Sequence, residues 1–95
     1  MMTATASAAL KDPLGLHARP SVKLVQLAKS FEAAIEVTAG DAEMWVPAKS
    51  LMKVLKVKAG AGAVLRFRAE GPDADAAVEA LRKLVDDDFA GGEDA

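Results

Sequence analysis

Apolar residues along this chain recur first at period two and then at helical spacing, and the two rhythms exchange places until its end. Thr3 to Lys11 is alanine-rich with a weak alternation that fits a first strand, and Asp12-Pro13-Leu14-Gly15 reads as a loop. From Ala18 to Ser30, Val22, Leu24, Val25, Ala28 and then Phe31 fall at helical spacing, with Lys23, Gln26 and Lys29 on other faces. Ala34 to Thr38 alternates as a strand, Ala39-Gly40-Asp41 offers turn chemistry and Glu43 to Val46 resumes an extended pattern, which predicts a hairpin that Pro47 stops. Ala48 to Val57 reads as a short helix and Lys58 to Gly62 as a glycine-bearing loop. Val64 to Ala69 alternates again, with Val64, Arg66 and Arg68 opposite Leu65 and Phe67; period alone leaves open which face is buried. Gly71-Pro72-Asp73 breaks that strand and offers Asp73 as an N-cap, after which Ala74, Ala77, Val78, Leu81 and Val85 form one stripe.

The predicted order is βαββαβα, which lacks the regular alternation of a doubly wound parallel sheet. The simplest packing is α+β: a four-stranded antiparallel sheet covered on one face by three helices and wet on the other. Residues 1–90 are expected to form one domain, with a frayed tail from Gly91-Gly92 and a flexible acidic end over 91–95.

Composition narrows the chemistry. The chain of 95 residues is 52% hydrophobic, enough for one compact core, and has no cysteine, so neither disulfides nor thiolate metal sites are available. A single histidine rules out a multi-histidine metal centre, and no metal or cofactor is expected. No stretch resembles a signal peptide or a membrane span, so a cytoplasmic protein without membrane insertion is expected. The net charge of −2 hides an asymmetry, because Asp86, Asp87, Asp88, Glu93 and Asp94 concentrate at the end. The rest is net positive, and Lys49, Lys53, Lys56 and Lys58 cluster either as a solvated helix face or as a patch for an acidic partner. The four aromatics, Phe31, Trp45, Phe67 and Phe89, form no stacking platform among basic residues, which argues against nucleic acid.

The chemistry centres on Gly15-Leu16-His17-Ala18-Arg19-Pro20, where a loop meets a helix start. Glycine permits a sharp turn and a close backbone approach, and proline is tolerated in a first helical turn. Unpaired N–H groups and the positive end of the helix dipole favour an anion there. Arg19 adds a planar cation suited to phosphate oxygens, and a neutral imidazole keeps a lone pair for attack. Such a site can take up a phosphoryl group rather than merely bind one.

With Ala48-Lys49-Ser50-Leu51-Met52 about thirty residues later and Ala69-Glu70-Gly71 before the last helix, the chain resembles HPr, the histidine-containing phosphocarrier family of the phosphoenolpyruvate-dependent phosphotransferase system, over roughly Thr3 to Phe89. The resemblance implies an open-faced β-sandwich and a covalent carrier rather than an enzyme. It implies that His17 takes a phosphoryl group on Nδ1 from enzyme I and passes it to a histidine of a IIA protein. Arg19 and the backbone amides of Ala18 and Arg19 would hold the phosphoryl oxygens. Ser50 matches a serine that a dedicated HPr kinase/phosphorylase modifies in many bacteria; its plain alternative is a helix N-cap. Lys23, Gln26, Lys49, Leu51, Met52, Lys53, Leu55 and Lys56 would form the docking face, and a monomer is expected. Leu14 stands where many members carry an asparagine that can orient the ring or phosphate, so that polar contact is expected to be missing. Trp45 reads as a packing or edge-strand residue, with a partner contact as the other reading. The same site fits a sugar-type carrier, a nitrogen-type carrier (NPr) and, in a different class, a binding module that transfers nothing.

Overall fold

In the computed structural model, which describes residues 3–90, the chain forms β1 (Thr3–Ala9), α1 (Ala18–Lys29), β2 (Ala34–Ala39), β3 (Val46–Pro47), α2 (Leu51–Val54), β4 (Val64–Glu70) and α3 (Ala74–Asp86). The expected tail over 91–95 lies outside the described residues. All pairings are antiparallel and the sheet order is β1-β4-β2-β3, so β4 runs centrally between β1 and β2. The α+β open sandwich expected from the pattern is the fold observed.

The face left open by periodicity is decided on β4. Leu65 and Phe67 are fully buried and Ala69 nearly so, whereas Val64, Arg66 and Arg68 are exposed. On the inner side Leu65 and Phe67 join Leu24 and Ala28 of α1, Val54 of α2 and Ala77, Leu81 and Val85 of α3 in one core. The helical stripe predicted for α3 is buried in full, whereas Val22, counted on the apolar face of α1, is exposed. On the outer side two arginines lie over the Trp45 ring, Arg68 at 4.1 Å and Arg66 at 5.1 Å from its centroid, and Arg68 Nε also donates to Glu36 at 2.6 Å. These cation–π contacts give Trp45 its packing role.

The structure corrects the bounds of three elements. Strand β1 ends at Ala9 rather than Lys11, although Leu10 still donates to the Ala63 carbonyl. Strand β3 is only Val46–Pro47, and Pro47 lies within it, opposite Glu36. An edge strand tolerates proline because the missing N–H can fall on the unpaired side. Glu43 to Trp45 leaves the ladder, where the Thr38 hydroxyl donates to the Met44 carbonyl at 2.9 Å. Helix α2 is a single turn rather than ten residues, with Ser50 as its cap and only Val54 buried.

Asp73 also acts differently from expectation. It precedes α3, but its side chain makes no cap bond there. Its two carboxylate oxygens instead accept the Glu32 N–H at 2.9 Å and the Ala33 N–H at 2.8 Å. The corner after α1 is thereby tied to the corner before α3. Gly71 completes the contact: its φ is +141°, and a Cβ there would come within 2.9 Å of Ala33 Cα. The Glu32 N–H bond is the main reason the Asp73 carboxyl is held below its usual range.

A depressed carboxyl pKa contributes stability that is present above the ordinary carboxylate value and is lost as pH falls through the folded value. Asp73→Ala is therefore expected to lower the melting temperature at neutral pH. The gap to wild type should narrow below about pH 4, where the unfolded-state carboxyl protonates. Thermal melts of both proteins from pH 2 to 7 check this; a gap independent of pH would count against the bond.

Candidate functional site

The loop that carries His17 is built on its backbone. Gly15 adopts φ +71°, and a Cβ on it would meet Gly60 Cα at 2.7 Å and the Ala59 carbonyl oxygen closer still. Directly after it, the Leu16 N–H donates to that same Ala59 carbonyl at 2.9 Å. The glycine is thus required by the 59–60 loop beneath the site, and the fixed backbone sets where the next residues emerge.

His17 is the N-cap of α1, in extended conformation at φ −116° and ψ −168°, and its carbonyl accepts the Ser21 N–H at 3.0 Å. The helix starts with no side-chain cap and no acid in its first turn. Pro20 has no N–H, so the amides of Ala18 and Arg19 are the donors at this end. At this helix start stand two amides without an intrahelical partner, the positive end of the helix dipole, an exposed Arg19 and a His17 ring that is about one-third exposed.

The polar contact from position 14 is missing, as expected, but the imidazole has another polar side-chain partner. Asp12 Oδ2 lies 3.3 Å from His17 Nε2, while Asp12 Oδ1 accepts the Leu14 N–H at 2.8 Å and the Asp12 carbonyl accepts the Gly15 N–H at 2.9 Å. This is an Asx turn: the side chain holds the backbone two residues on and swings the acid back toward the histidine. The Leu14 N–H bond, followed by the contact with His17, keeps the Asp12 carboxyl below its ordinary range. An ionised carboxylate only accepts, so in a neutral ring a proton on Nε2 completes this contact and leaves the lone pair on Nδ1. Nothing in the periodicity marks Asp12; the available signal was an acid opening an Asp-Pro-x-Gly turn five residues before the only histidine.

The structure separates the predicted docking residues. Leu51, Met52 and Leu55 are exposed, with Lys53 and Lys56 also exposed around them, on a turn that packs against α1; Gln26 is exposed on α1 itself. Leu14, beside the site in sequence, is 73% exposed, an apolar side chain absent from the sequence-based set. Two lysines are engaged elsewhere. Lys49 Nζ donates to the Phe31 carbonyl at 2.7 Å, past the end of α1, and Lys23 Nζ donates to the Phe89 carbonyl at 2.7 Å, past the end of α3. Ser50 does cap α2: its Oγ accepts the Lys53 N–H at 3.4 Å and the residue is half-buried.

Residues 4–87 match the family described as PTS HPr component phosphorylation site. A multiphosphoryl transfer protein of Vibrio cholerae is 49% identical over 79 residues, which are 81% of this chain but 20% of that longer protein. Phosphocarrier protein HPr of Cupriavidus necator is 40% identical over 86% of this chain and 90% of its own length. Phosphocarrier protein NPr of Shewanella violacea is also 40% identical, over 82% of this chain and 84% of its own. The crystal structure of HPr-C-His from Thermoanaerobacter tengcongensis superposes with a TM-score of 0.80 at 34% identity, covering 96% of this chain and 98% of that one.

Gly15→Ala tests the backbone contact. The left-handed conformation alone should cost about 1–3 kcal/mol, and the collision with the 59–60 loop adds to it. The expected result is a clear fall in melting temperature with displaced amide resonances for residues 14–18 and 59–60; an unshifted spectrum would refute the packing role.

Proposed function

The chain belongs to the HPr/NPr phosphocarrier family, and on that premise we propose that His17 accepts a phosphoryl group on Nδ1 from phospho-enzyme I and delivers it to a histidine of a IIA protein. The observation that carries this reading is the placement of the His17 ring at the uncapped start of α1, with Nδ1 left free by the Asp12 contact. Transfer between two histidines is close to balanced and passes through a loose, in-line transition state, so positioning and anion stabilisation suffice. The Ala18 and Arg19 amides and the Arg19 guanidinium take the phosphoryl oxygens. No separate general base is needed, and the protein acts as a covalent carrier that leaves each cycle with its charge delivered.

A shuttle must dock two partners in turn through contacts that release. Exposed Leu51, Met52 and Leu55, rimmed by Lys53 and Lys56, supply an adaptable apolar patch with a positive edge, and Gln26 adds a polar contact from α1. Ser50 lies beside this patch. Phosphorylation there by an HPr kinase/phosphorylase would add nearly two negative charges and disrupt the cap of α2, weakening docking to an acidic enzyme I. The domain spans residues 1–90 and works as a cytoplasmic monomer. Among the described residues no helix is long and apolar enough to cross a membrane.

Two pathways use such a carrier. The sugar-type assignment leads, and the equal identity to an NPr supports the nitrogen-type one as its alternative. Presenting the charged protein to a sugar-type and a nitrogen-type IIA protein separates them by which one takes the phosphoryl group.

Incubation with phosphoenolpyruvate and enzyme I, followed by intact-mass analysis, tests the function. One acid-labile phosphoryl adduct is expected on the wild type and none on His17→Ala, which should still unfold cooperatively because the ring lies outside the core. Arg19→Lys should slow transfer by roughly tenfold, since a point charge replaces a planar fork. No adduct with either a sugar-type or a nitrogen-type enzyme I would favour the non-transferring binding module.

A further inference from the structure

We propose that Asp12 is a positioning residue for phosphoryl transfer, holding the His17 proton on Nε2 so that the Nδ1 lone pair is the one offered to the incoming phosphorus. This rests on the phosphocarrier reading of His17. Asp12 is held at two points before its carboxylate meets the ring: Oδ1 of the side chain takes the Leu14 N–H, and the backbone carbonyl takes the Gly15 N–H. Gly15 is in turn seated on the 59–60 loop. Oδ2 is left facing Nε2 at 3.3 Å, with both side chains only about one-third exposed. Ring orientation is therefore referenced to backbone already fixed, and the acid occupies the side of the ring away from the nitrogen that reacts.

The transfer needs no proton to move. The N–P bond of the donor phosphohistidine breaks with its electron pair returning to the donor nitrogen, and the Nδ1 lone pair of His17 forms the new N–P bond. The His17 ring becomes positively charged, still bearing its Nε2 proton, and the Asp12 carboxylate stabilises that cation as the acid of a Ser-His-Asp triad stabilises its imidazolium. On delivery the Nδ1–P bond breaks, its electron pair returns to Nδ1, and the same proton remains on Nε2. One carboxylate thus serves both loading and unloading without entering the anion cradle, where a second negative charge would repel the phosphoryl group.

A structural account of Asp12 is that it only closes the turn. Asp12→Asn distinguishes the two, because the amide oxygen still accepts the Leu14 N–H while the NH2 group becomes the neighbour of Nε2. A donor at that position draws the lone pair to Nε2 and puts the proton on Nδ1, which removes the nucleophile. Side-chain ¹⁵N NMR of the unphosphorylated protein at alkaline pH should show Nε2–H in the wild type and a shift toward Nδ1–H in the variant. Loading by phospho-enzyme I should slow by about tenfold, the lower end of what losing its hydrogen-bonded partner costs a metal-bound histidine, with the melting temperature little changed. Asp12→Glu, which keeps an acceptor, should restore the wild-type tautomer and part of the rate; it also serves if Asp12→Asn fails to fold.

An Asp12→Asn protein with wild-type tautomer and loading rate would overturn the positioning role and leave the carrier intact. A wild-type protein that takes no phosphoryl group would overturn the carrier reading itself, and the role with it. The tautomer measurement, made without enzyme I, tells these failures apart.

Discussion

The site depends on one contact between backbones. Gly15, in a left-handed conformation, lies against the Ala59–Gly60 loop so closely that no side chain fits between them, and Leu16 is bonded to the Ala59 carbonyl. Because peptide planes rather than mobile side chains make this contact, the loop enters α1 at a defined angle. His17 as cap, the amides of Ala18 and Arg19 and the Asx turn at Asp12 all take their positions from it. The 59–60 loop is itself anchored to the core side, since Gly62 and Leu10 are bonded to each other and Leu10 to Ala63. The partly exposed His17 site thus has a rigid reference without being buried.

The same economy shapes the sheet. With β4 in the middle, the alternation of Leu65, Phe67 and Ala69 against Val64, Arg66 and Arg68 sorts the molecule into a dry side, where all three helices contribute, and an outer side held by Trp45, the arginines over its ring and Glu36. Asp73 and Lys49 lock the far end, one by accepting the Glu32 and Ala33 amides and the other by donating to the Phe31 carbonyl. Those bonds satisfy backbone groups left over where α1 ends, which would otherwise depend on water. The end of the molecule opposite the start of α1 is therefore closed by side chains, while the start is left uncapped for a ligand.

The elements most legible from sequence were those whose pattern had one physical cause. The α3 stripe needs a buried face and nothing else, and the Gly15–Pro20 motif carries its chemistry in residue identity. Boundaries failed where tertiary bonds compete with local preference. Pro47 looked like a stop because a proline removes a donor, but on an edge strand that loss need not break the ladder. Asp73 looked like a cap because it precedes a helix, yet two stray amides on another corner claimed its oxygens. Lys49 reads with its lysine neighbours as docking charge, and nothing in the local pattern shows that its ammonium also donates to a carbonyl eighteen residues earlier in the chain. Asp12 was missed because its effect passes through a turn: only when the side chain bonds the Leu14 amide does an acid five residues away come back to the imidazole.

Leu14 and Asp12 together show how the site divides its labour. An asparagine at position 14 would put a polar group near the ring at the cost of an apolar contact; here Leu14 is exposed and hydrophobic, while an acid on the same turn faces Nε2. In the proposed reading Asp12 orients the ring while Leu14 supplies apolar surface, so neither constrains the other's chemistry. A carboxylate is also the better partner on the Nε2 side, because it accepts the proton's hydrogen bond in both the neutral ring and the charged phosphorylated ring, whereas an amide can present a donor in its place. In the proposed reading, the negative charge facing Nε2 would stabilise a cationic phosphoimidazole without competing for the amides proposed to hold the phosphoryl oxygens. That division suits a carrier whose loaded state must be stable enough to diffuse and reactive enough to be emptied.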